Sequence, residues 1–168
     1  MTTFIETALG RLRSFANKLS FLSFLGPTLA RLTVGLVFIG TGWGKLHSLP
    51  DVTAFFDSLH IPAPALNARI AASTEFFGGV LVLVGLGTRL ASLPLAFTMV
   101  VAIATAKRAD ITGLTSLVGF EEWSYLVLFV WLAVAGPGPL SLDRLVVWLR
   151  ARRAAPVGLP KPLLRPQT

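Results

Sequence analysis

The apolar positions of this chain form four long runs, separated by connections that carry most of the charged residues. The runs predict membrane-spanning helices at residues 27–47, 66–87, 89–106 and 120–136. About 20 consecutive apolar residues are enough for an α-helix to cross the hydrocarbon core of a bilayer. The tight glycine-containing turn between the second and third runs makes those two spans antiparallel neighbours. The pattern predicts an all-α protein, an integral membrane four-helix bundle.

Three further segments place apolar residues at intervals of three and four, which is typical of amphipathic helices on a membrane surface. They lie at the N-terminus (1–26), in the first outer connection after Ser48, and near the C-terminus (137–153), where the helix is basic. Residues 154–168 contain four prolines and are predicted to be disordered. The predicted bundle is therefore flanked by amphipathic surface helices.

Composition supports a membrane protein. Hydrophobic residues make up 54% of the 168 residues and charged residues only 14%, whereas soluble domains have about 25% charged residues. The length leaves no room for a separate soluble enzyme domain beside the spans. The sequence contains no cysteine, which excludes disulfides, thiolate metal sites and thiol redox chemistry.

The formal net charge of +7 is distributed unevenly between the two sides of the predicted spans. Ten basic residues fall on the side of the termini and four on the other side. Basic residues favour the cytoplasmic side of a membrane, so both termini are predicted to be cytoplasmic. Because this distribution follows membrane topology, no nucleic-acid partner is expected.

One acidic residue, Glu75, lies near the middle of the second predicted span. A carboxylate at that depth carries a penalty of roughly 2.5 to 3.5 kcal/mol on insertion scales. The residues on its helix face are almost all small, namely Ala68, Ala71, Ala72, Gly78, Gly79 and Val82. Small residues let helices approach closely in membranes, so Glu75 is predicted to face another helix.

The first predicted span offers a basic partner for Glu75. One stripe of that helix consists of Arg31, Gly35, Phe38, Gly42 and Lys45. With a rise of about 1.5 Å per residue, Lys45 lies closer to the depth of Glu75 than Arg31 does. We predict a Lys45–Glu75 ion pair, with Arg69 as a candidate second basic partner from the outer end of the helix that carries Glu75.

Gly40 and Gly44 form a small-xxx-small pair in the same predicted span. Such pairs favour close helix packing in membranes, and the two glycines are predicted to face a neighbouring helix. Lys45 next to them could instead extend toward the membrane surface, as lysines at helix ends do.

The role of Glu75 remains open between three interpretations. A buried ion pair can fix the register of two helices without doing chemistry. An intramembrane carboxylate can also anchor the head group of a quinone or another small amphiphile, or serve as a protonatable site in a transport path. The residues do not choose between these roles.

Other chemistry finds little support. His47 and His60 are the only histidines, and both fall in or beside the first outer connection, so no metal site and no bis-histidine haem inside the bundle is predicted. Ser73 and Thr74 have no histidine near them in sequence, so nucleophilic catalysis is not indicated. The catalytic residues, if any exist, are unknown.

The chain resembles the DoxX family of small bacterial four-helix membrane proteins. The resemblance rests on RLTVGLVFIGTGWGKL in the first span, the loop that ends in IPAP, AASTEFFGGVLVLVGLGTRLAS, and a third span that ends in AKR. It covers about residues 28–136. It implies a location in the inner membrane and, for some relatives, membership of quinone-linked oxidoreductase assemblies. By motif position it carries over four polar residues, Arg31, Lys45, Glu75 and Arg89.

The sequence thus predicts a membrane subunit or anchor of a quinone-linked oxidoreductase complex, with the redox cofactors on partner subunits. Quinone is the one cofactor considered for this chain, and no bound metal is predicted. The expected partners are the lipid bilayer and redox-enzyme subunits, and self-association is left open. A small-solute or proton-coupled transporter that uses Glu75 and a structural membrane scaffold are the alternatives. The predicted intramembrane polar set is Glu75, Lys45, Arg31, Arg69 and Arg89.

Overall fold

The computed structural model describes residues 21–154, and the regular structure in this part of the chain is entirely helical. The α-helices are α1 (Leu25–His47), α2 (Leu49–Ser58), α3 (Pro64–Val84), α4 (Thr88–Thr105), α5 (Leu114–Gly119), α6 (Glu121–Ala135) and α7 (Leu142–Ala154). Short 3-10 turns at Phe21–Phe24 and Arg108–Asp110 precede α1 and follow α4. The predicted all-α class is confirmed for the described residues.

Three of these helices, α1, α3 and α4, are long and apolar enough to cross a membrane. The fourth predicted span, 120–136, corresponds to α6, which has 15 residues. At about 1.5 Å per residue α6 extends roughly 22 Å, less than the roughly 30 Å of a hydrocarbon core. By length and composition, three of the described helices are therefore candidate spans.

Proline and glycine set the helix boundaries. Pro27 lies in the first turn of α1 and Pro64 is the first residue of α3, positions where a missing backbone N–H costs no helical hydrogen bond. Gly85 and Gly87 have positive φ angles of 74° and 57° and form the turn between α3 and α4. Because Gly85 leaves the helical conformation, α3 ends three residues before the predicted position 87.

α1 and α3 pack antiparallel along a seam of glycines. The seam consists of Gly35 with Leu83, Ile39 with Gly79, and Gly42 with Phe76. Residue numbers rise along α1 as they fall along α3, which defines the antiparallel register. A Cβ atom added to Gly42 would overlap the backbone of Phe76, so this approach requires glycine.

Gly40 and Gly44 are not part of this seam, and the prediction that they face a neighbouring helix is wrong. Both are exposed, and a Cβ atom added to either would meet nothing within 4 Å. Two residues advance about 200° around a helix, so Gly44 lies almost opposite Gly42. The packed face of α1 is therefore the one that carries Gly35 and Gly42, and not the one that carries Gly40 and Gly44.

α4 and α6 are also antiparallel neighbours. Lys107, just after α4, lies 3.9 Å from the carboxylate of Glu122 in the first turn of α6. At the opposite end, Arg89 at the start of α4 lies against Gly136, just after α6. We name the helix ends near His47 and Glu122 the loop end, and those near Leu25 and Gly136 the terminal end.

Aromatic packing joins α1 to α6 in the core. The ring of Phe38 lies 4.8 Å from that of Phe129 and 5.4 Å from that of Tyr125, both edge to face, a favourable arrangement for aromatic pairs. Fully buried apolar residues continue the core toward the terminal end, and they are Val34, Val82, Leu95, Phe129 and Leu132. The terminal half of the helices is therefore solidly packed.

α2 lies in the connection between α1 and α3 and packs mainly on α3. Val52 and Phe56 are half-buried, whereas Asp51 is exposed. Between α2 and α3, His60 and Ala63 have positive φ angles of 57° and 47°. Left-handed backbone is uncommon for residues other than glycine, so this connection is strained.

The terminal segments only partly coincide with the described residues. α7 begins at Leu142, five residues after the predicted start at 137, because Gly136 and Gly138 have positive φ angles of 86° and 78° and residues 136–141 are not helical. Of the predicted N-terminal helix, residues 1–20 lie outside the described part, and residues 25–26 belong to α1. The tail predicted at 154–168 lies outside it except for Ala154, which ends α7.

Candidate functional site

Glu75 lies on the buried face of α3, as its small neighbours predict. Only 3% of the residue is exposed. The other buried residues of α3 are Ala68, Ala72, Gly78, Gly79 and Val82. These residues and Glu75 follow one another at intervals of three or four positions, so they share one face of the helix. That face packs inward and includes the Glu75 carboxylate.

Lys45 is the partner of Glu75. The Lys45 ammonium nitrogen Nζ lies 2.5 Å from the Glu75 carboxylate oxygen Oε1. The Lys45 side chain is 35% exposed and that of Glu75 only 4%, so the lysine reaches from the edge of the protein to a buried acid. The antiparallel seam of α1 and α3 places the two residues at the same depth.

The two oxygens of the Glu75 carboxylate have different surroundings. Oε1 accepts the hydrogen bond from Lys45, whereas Oε2 is buried and has no hydrogen-bond partner among the described residues. A buried acceptor without a donor costs on the order of 1 to 3 kcal/mol. Glu75 therefore has an unused acceptor for a group that enters the site.

A cavity of about 1010 Å³ lies beside the ion pair. Its wall is formed by α1, α2, α3, α4 and the start of α6, and most of it is apolar. Glu75 is the deepest residue that α3 contributes, and Phe38 and Tyr125 close the cavity toward the core. The volume lies at the upper end of the range of small-molecule sites, which is roughly 300 to 1,000 Å³.

Charged side chains gather where the cavity reaches the loop end. Asp51, Lys107, Glu121 and Glu122 line it there. Lys107 pairs with Glu122 at 3.9 Å and its ammonium lies 5.8 Å from the ring centre of Phe120. The cavity thus has a charged rim, apolar walls and one buried ion pair at depth.

Two of the predicted polar residues are not brought to Glu75. Arg69 is exposed and lies beside α2, in a shallow depression that includes Asp57. It makes no ion pair within the described residues, so it is not a second partner of Glu75. Arg89 is exposed at the terminal end, against Gly136.

Arg31 is buried at the terminal end, away from Glu75. It is 3% exposed, and its guanidinium donates a hydrogen bond to the carbonyl of Leu140. Its Nε and Nη1 atoms are buried and have no hydrogen-bond partner within residues 21–154. A Cβ atom added to Gly85 would collide with the guanidinium, so the α3–α4 turn leaves just enough space for this arginine.

Sequence reasoning missed Asp143, which attaches α7 to the α3–α4 turn. Its carboxylate oxygens accept the backbone N–H of Gly87 at 2.9 and 3.1 Å, and its own N–H donates to the carbonyl of Gly85 at 3.1 Å. Asp143 is in the first turn of α7, but its carboxylate accepts from Gly87 just before α4, so no local pattern in the sequence indicated this contact. Together with the Arg31–Leu140 hydrogen bond, these contacts form the terminal clamp.

Two further polar residues of α4, Thr88 and Ser92, were also missed. Both are fully buried, and neither side-chain oxygen has a hydrogen-bond partner in the described part of the chain. They lie one turn apart on the same face of α4, and that spacing was the only signal in the sequence.

The histidines lie apart from the cavity. His47 contacts the backbone carbonyl of Trp43 in its own helix at 2.9 Å, and the centres of the two rings lie 4.2 Å apart. Residues 21–154 contain no group of three or more histidine, aspartate or glutamate side chains arranged to hold a metal ion.

Comparison with known proteins gives a family. The model of the DoxX family matches residues 26–108, which includes α2 to α4, all of α1 except Leu25, and all five predicted polar residues. A relative named "Putative oxidoreductase CatD" in Bacillus subtilis is 33% identical over 124 residues, 73% of this chain and 87% of the relative. Two Escherichia coli relatives are named inner membrane proteins. YqjF is 31% identical (73% of this chain, 92% of YqjF), and YphA is 34% identical (69% and 86%). No solved structure matches the chain significantly.

Proposed function

Because the chain belongs to the DoxX family of membrane proteins, we propose that it is a membrane subunit of a quinone-linked oxidoreductase complex. The observation that carries this proposal is the cavity of about 1010 Å³, which combines apolar walls with a buried Lys45–Glu75 pair at depth. A quinone has the matching chemistry, with an apolar ring and tail and polar head-group oxygens. One relative, CatD, bears the name oxidoreductase, which is in keeping with this role.

The redox cofactors of the complex belong to partner subunits in this proposal. The sequence has no cysteine and only two histidines, and both histidines lie outside the cavity wall. These residues are the usual ligands of haem and iron–sulfur centres. The chain's contribution is to hold the quinone near the partner that exchanges electrons with it.

Access to the cavity from the bilayer supports an amphiphilic ligand. Ile70 of α3 and Phe97 of α4 line the cavity and are 52% and 67% exposed. The interval between these two helices is therefore apolar on its outer side. A quinone dissolved in the membrane can enter there and place its head group against Glu75.

We further propose a four-span topology in the inner membrane with both termini in the cytoplasm. The start of α1 and the start of α7 lie at the same end of the protein, because Gly138 packs on Pro27 and Leu140 accepts a hydrogen bond from Arg31. A chain whose two ends lie on the same side of a membrane crosses it an even number of times. α1, α3 and α4 account for three crossings, so α6 is the fourth in this proposal. The excess of basic residues at this end favours the cytoplasm.

The absence of native cysteine makes the topology directly testable. Single variants Ser58→Cys, at the end of α2, and Ala151→Cys, in α7, are labelled in intact cells with a membrane-impermeant maleimide. We expect the thiol of the Ser58→Cys variant to react in cells whose outer membrane alone is permeable. The thiol of the Ala151→Cys variant is expected to react only after the inner membrane is opened. The reverse order would place the termini outside, and reaction of both would contradict four spans.

The test of function is purification of the chain from its native membranes in mild detergent at native expression. We expect a protein that carries flavin, haem or copper to be recovered together with bound quinone. A chain with Glu75→Gln and Lys45→Met, which removes both charges of the pair, is expected to lose the quinone and keep the partner. Recovery of no redox protein would refute the proposal.

Transport is a second candidate, and one observation favours it: Glu75 has a free carboxylate oxygen beside a cavity that reaches the loop end. Such a group can take up a proton together with a solute. Proton-coupled uptake into liposomes that is lost in Glu75→Gln would support transport. Absence of uptake by the unaltered protein would exclude the transport role.

A further inference from the structure

The free oxygen Oε2 of Glu75 restricts what can bind in the cavity. A carboxylate engaged in an ion pair only accepts hydrogen bonds, and Oε2 has no donor within the described residues. The hydroxyls of Thr41 and Thr98 line the same cavity, but each donates to a backbone carbonyl of its own helix, Phe38 and Leu95 respectively. A ligand that donates a hydrogen bond to Oε2 therefore supplies what the protein lacks.

The charges at the site restrict the donor further. Lys45 and Glu75 form a pair that is neutral overall. Such a pair offers no net charge to offset the cost of moving a charged ligand from water into the apolar cavity. A neutral hydroxyl donor avoids that cost.

The oxidised form of a quinone lacks such a donor. Its two ring carbonyls only accept hydrogen bonds, so a carbonyl placed against Oε2 would leave both oxygens unpaired. Lys45 has N–H groups left to offer, but its side chain is 35% exposed and water can satisfy them. Rings of either form are accommodated by the apolar wall, which includes Phe55, Phe56 and Phe97.

We propose that the cavity selects the reduced, hydroxyl-bearing form of a quinone, with one hydroquinone O–H donating to Glu75 Oε2. This inference rests on the proposed quinone link and deepens it, because it assigns the redox state of the ligand. A site built to bind a hydroxyl discriminates strongly against an analogue that lacks it, since the buried acceptor is then left unpaired. We expect the reduced form to bind at least tenfold more tightly.

The test uses the full chain purified in detergent. Isothermal titration compares 1,4-naphthohydroquinone, kept reduced under nitrogen, with 1,4-naphthoquinone. The chain has no thiol for the quinone to alkylate and no disulfide for a reductant to cleave. Tenfold tighter binding of the hydroquinone is the expected result, and equal or weaker binding, or binding of neither form, overturns the inference.

Two variants test whether Glu75 is responsible for the preference for the hydroquinone. Glu75→Gln places an amide, which can donate as well as accept, where the carboxylate was, and the preference is expected to fall below threefold. Asp110→Asn makes the same carboxylate-to-amide change at an exposed position outside the cavity wall and is expected to leave the preference unchanged. A preference that persists in Glu75→Gln overturns the assignment to Oε2, and the comparison in the unaltered protein decides alone if that variant does not fold.

This test is independent of the redox complex. A chain that prefers the hydroquinone but recovers no redox partner supports the inference and refutes the proposed complex. A chain that recovers a redox partner but binds both forms equally keeps the proposed complex and overturns the inference.

Discussion

Gly42 of α1 lies directly against the backbone of Phe76 in α3, with no side chain between them. Phe76 follows Glu75 in α3, and Lys45 lies three residues beyond Gly42 in α1. The closeness of the two helix backbones therefore determines whether Lys45 can reach Glu75. The glycine seam and the ion pair are parts of one arrangement.

Replacement of Gly42 by alanine is expected to destabilise the protein by about 2 kcal/mol, because the added Cβ forces α1 and α3 apart. Gly44→Ala is the matched control in the same helix, since its Cβ would enter open space. There alanine is expected to be neutral or to stabilise by up to about 1 kcal/mol through its higher helix propensity. Thermal unfolding in detergent measures both, and equal effects would contradict the seam.

Lys45→Met is expected to cost about 2 kcal/mol, because it leaves the carboxylate of Glu75 buried without its cation. This lies below the usual cost of breaking a buried pair because a third of the Lys45 side chain is exposed. Exchange of the two residues, Lys45→Glu with Glu75→Lys, is expected to restore most of the loss. Unfolding midpoints of the three proteins are compared, and equal losses in the single and the exchanged variants would contradict a direct pair.

Lys107→Met is the control for the ion pair. Lys107 and Glu122 are 3.9 Å apart and both are partly exposed, so the change is expected to cost about 0.5 kcal/mol or less. A loss as large as that of Lys45→Met would mean that charge removal in general, and not this pair, determines stability.

Gly85→Ala is expected to cost at least about 2 kcal/mol. Alanine at a φ of 74° carries about 1 kcal/mol of backbone strain, and its Cβ would also displace the Arg31 guanidinium. Gly87→Ala has similar strain, at a φ of 57°, but open space around the Cβ, so about 1 kcal/mol is expected. The Cβ of alanine at position 85 would also overlap the Cβ of Ser141. The difference between the two unfolding midpoints therefore measures the joint contribution of Arg31 and Ser141, and no difference would show that neither needs this space.

Ala63→Gly is expected to stabilise the protein by about 0.5 kcal/mol, because relief of the left-handed strain at a φ of 47° exceeds the entropy that glycine adds to the unfolded chain. The same substitution at Ala54, in the regular helix α2, is expected to destabilise by about 1 kcal/mol. Opposite shifts in the midpoint would establish the strain, and a loss at both positions would exclude it.

The buried face of α3 could be predicted because it depends only on helical periodicity. Ala68, Ala72, Gly78 and Gly79 surround Glu75 as the spacing of small residues indicates. The pairing with Lys45 followed from one further assumption, that the two helices lie at comparable depth in the membrane. Local sequence therefore contained most of the information on this pair.

The cavity and the terminal clamp could not be predicted in the same way. The cavity depends on where α2 lies relative to α4 and α6, which no local pattern specifies. Arg31 and Leu140 are 109 residues apart, and the acceptor is a backbone carbonyl that any residue type would offer. The prediction for Gly40 and Gly44 was wrong because α1 has glycines on more than one face. A small-xxx-small motif does not indicate which of these faces is packed.

The solid core beneath the cavity closes it toward the terminal end. Leu95, Phe129 and Val34 are completely buried between the ion pair and the terminal end, so no continuous passage runs through the protein from one end of the helices to the other. A bound amphiphile can return to the loop end or to the bilayer through the two openings of the cavity. A transported solute would need a second conformation of the helices to leave at the terminal end.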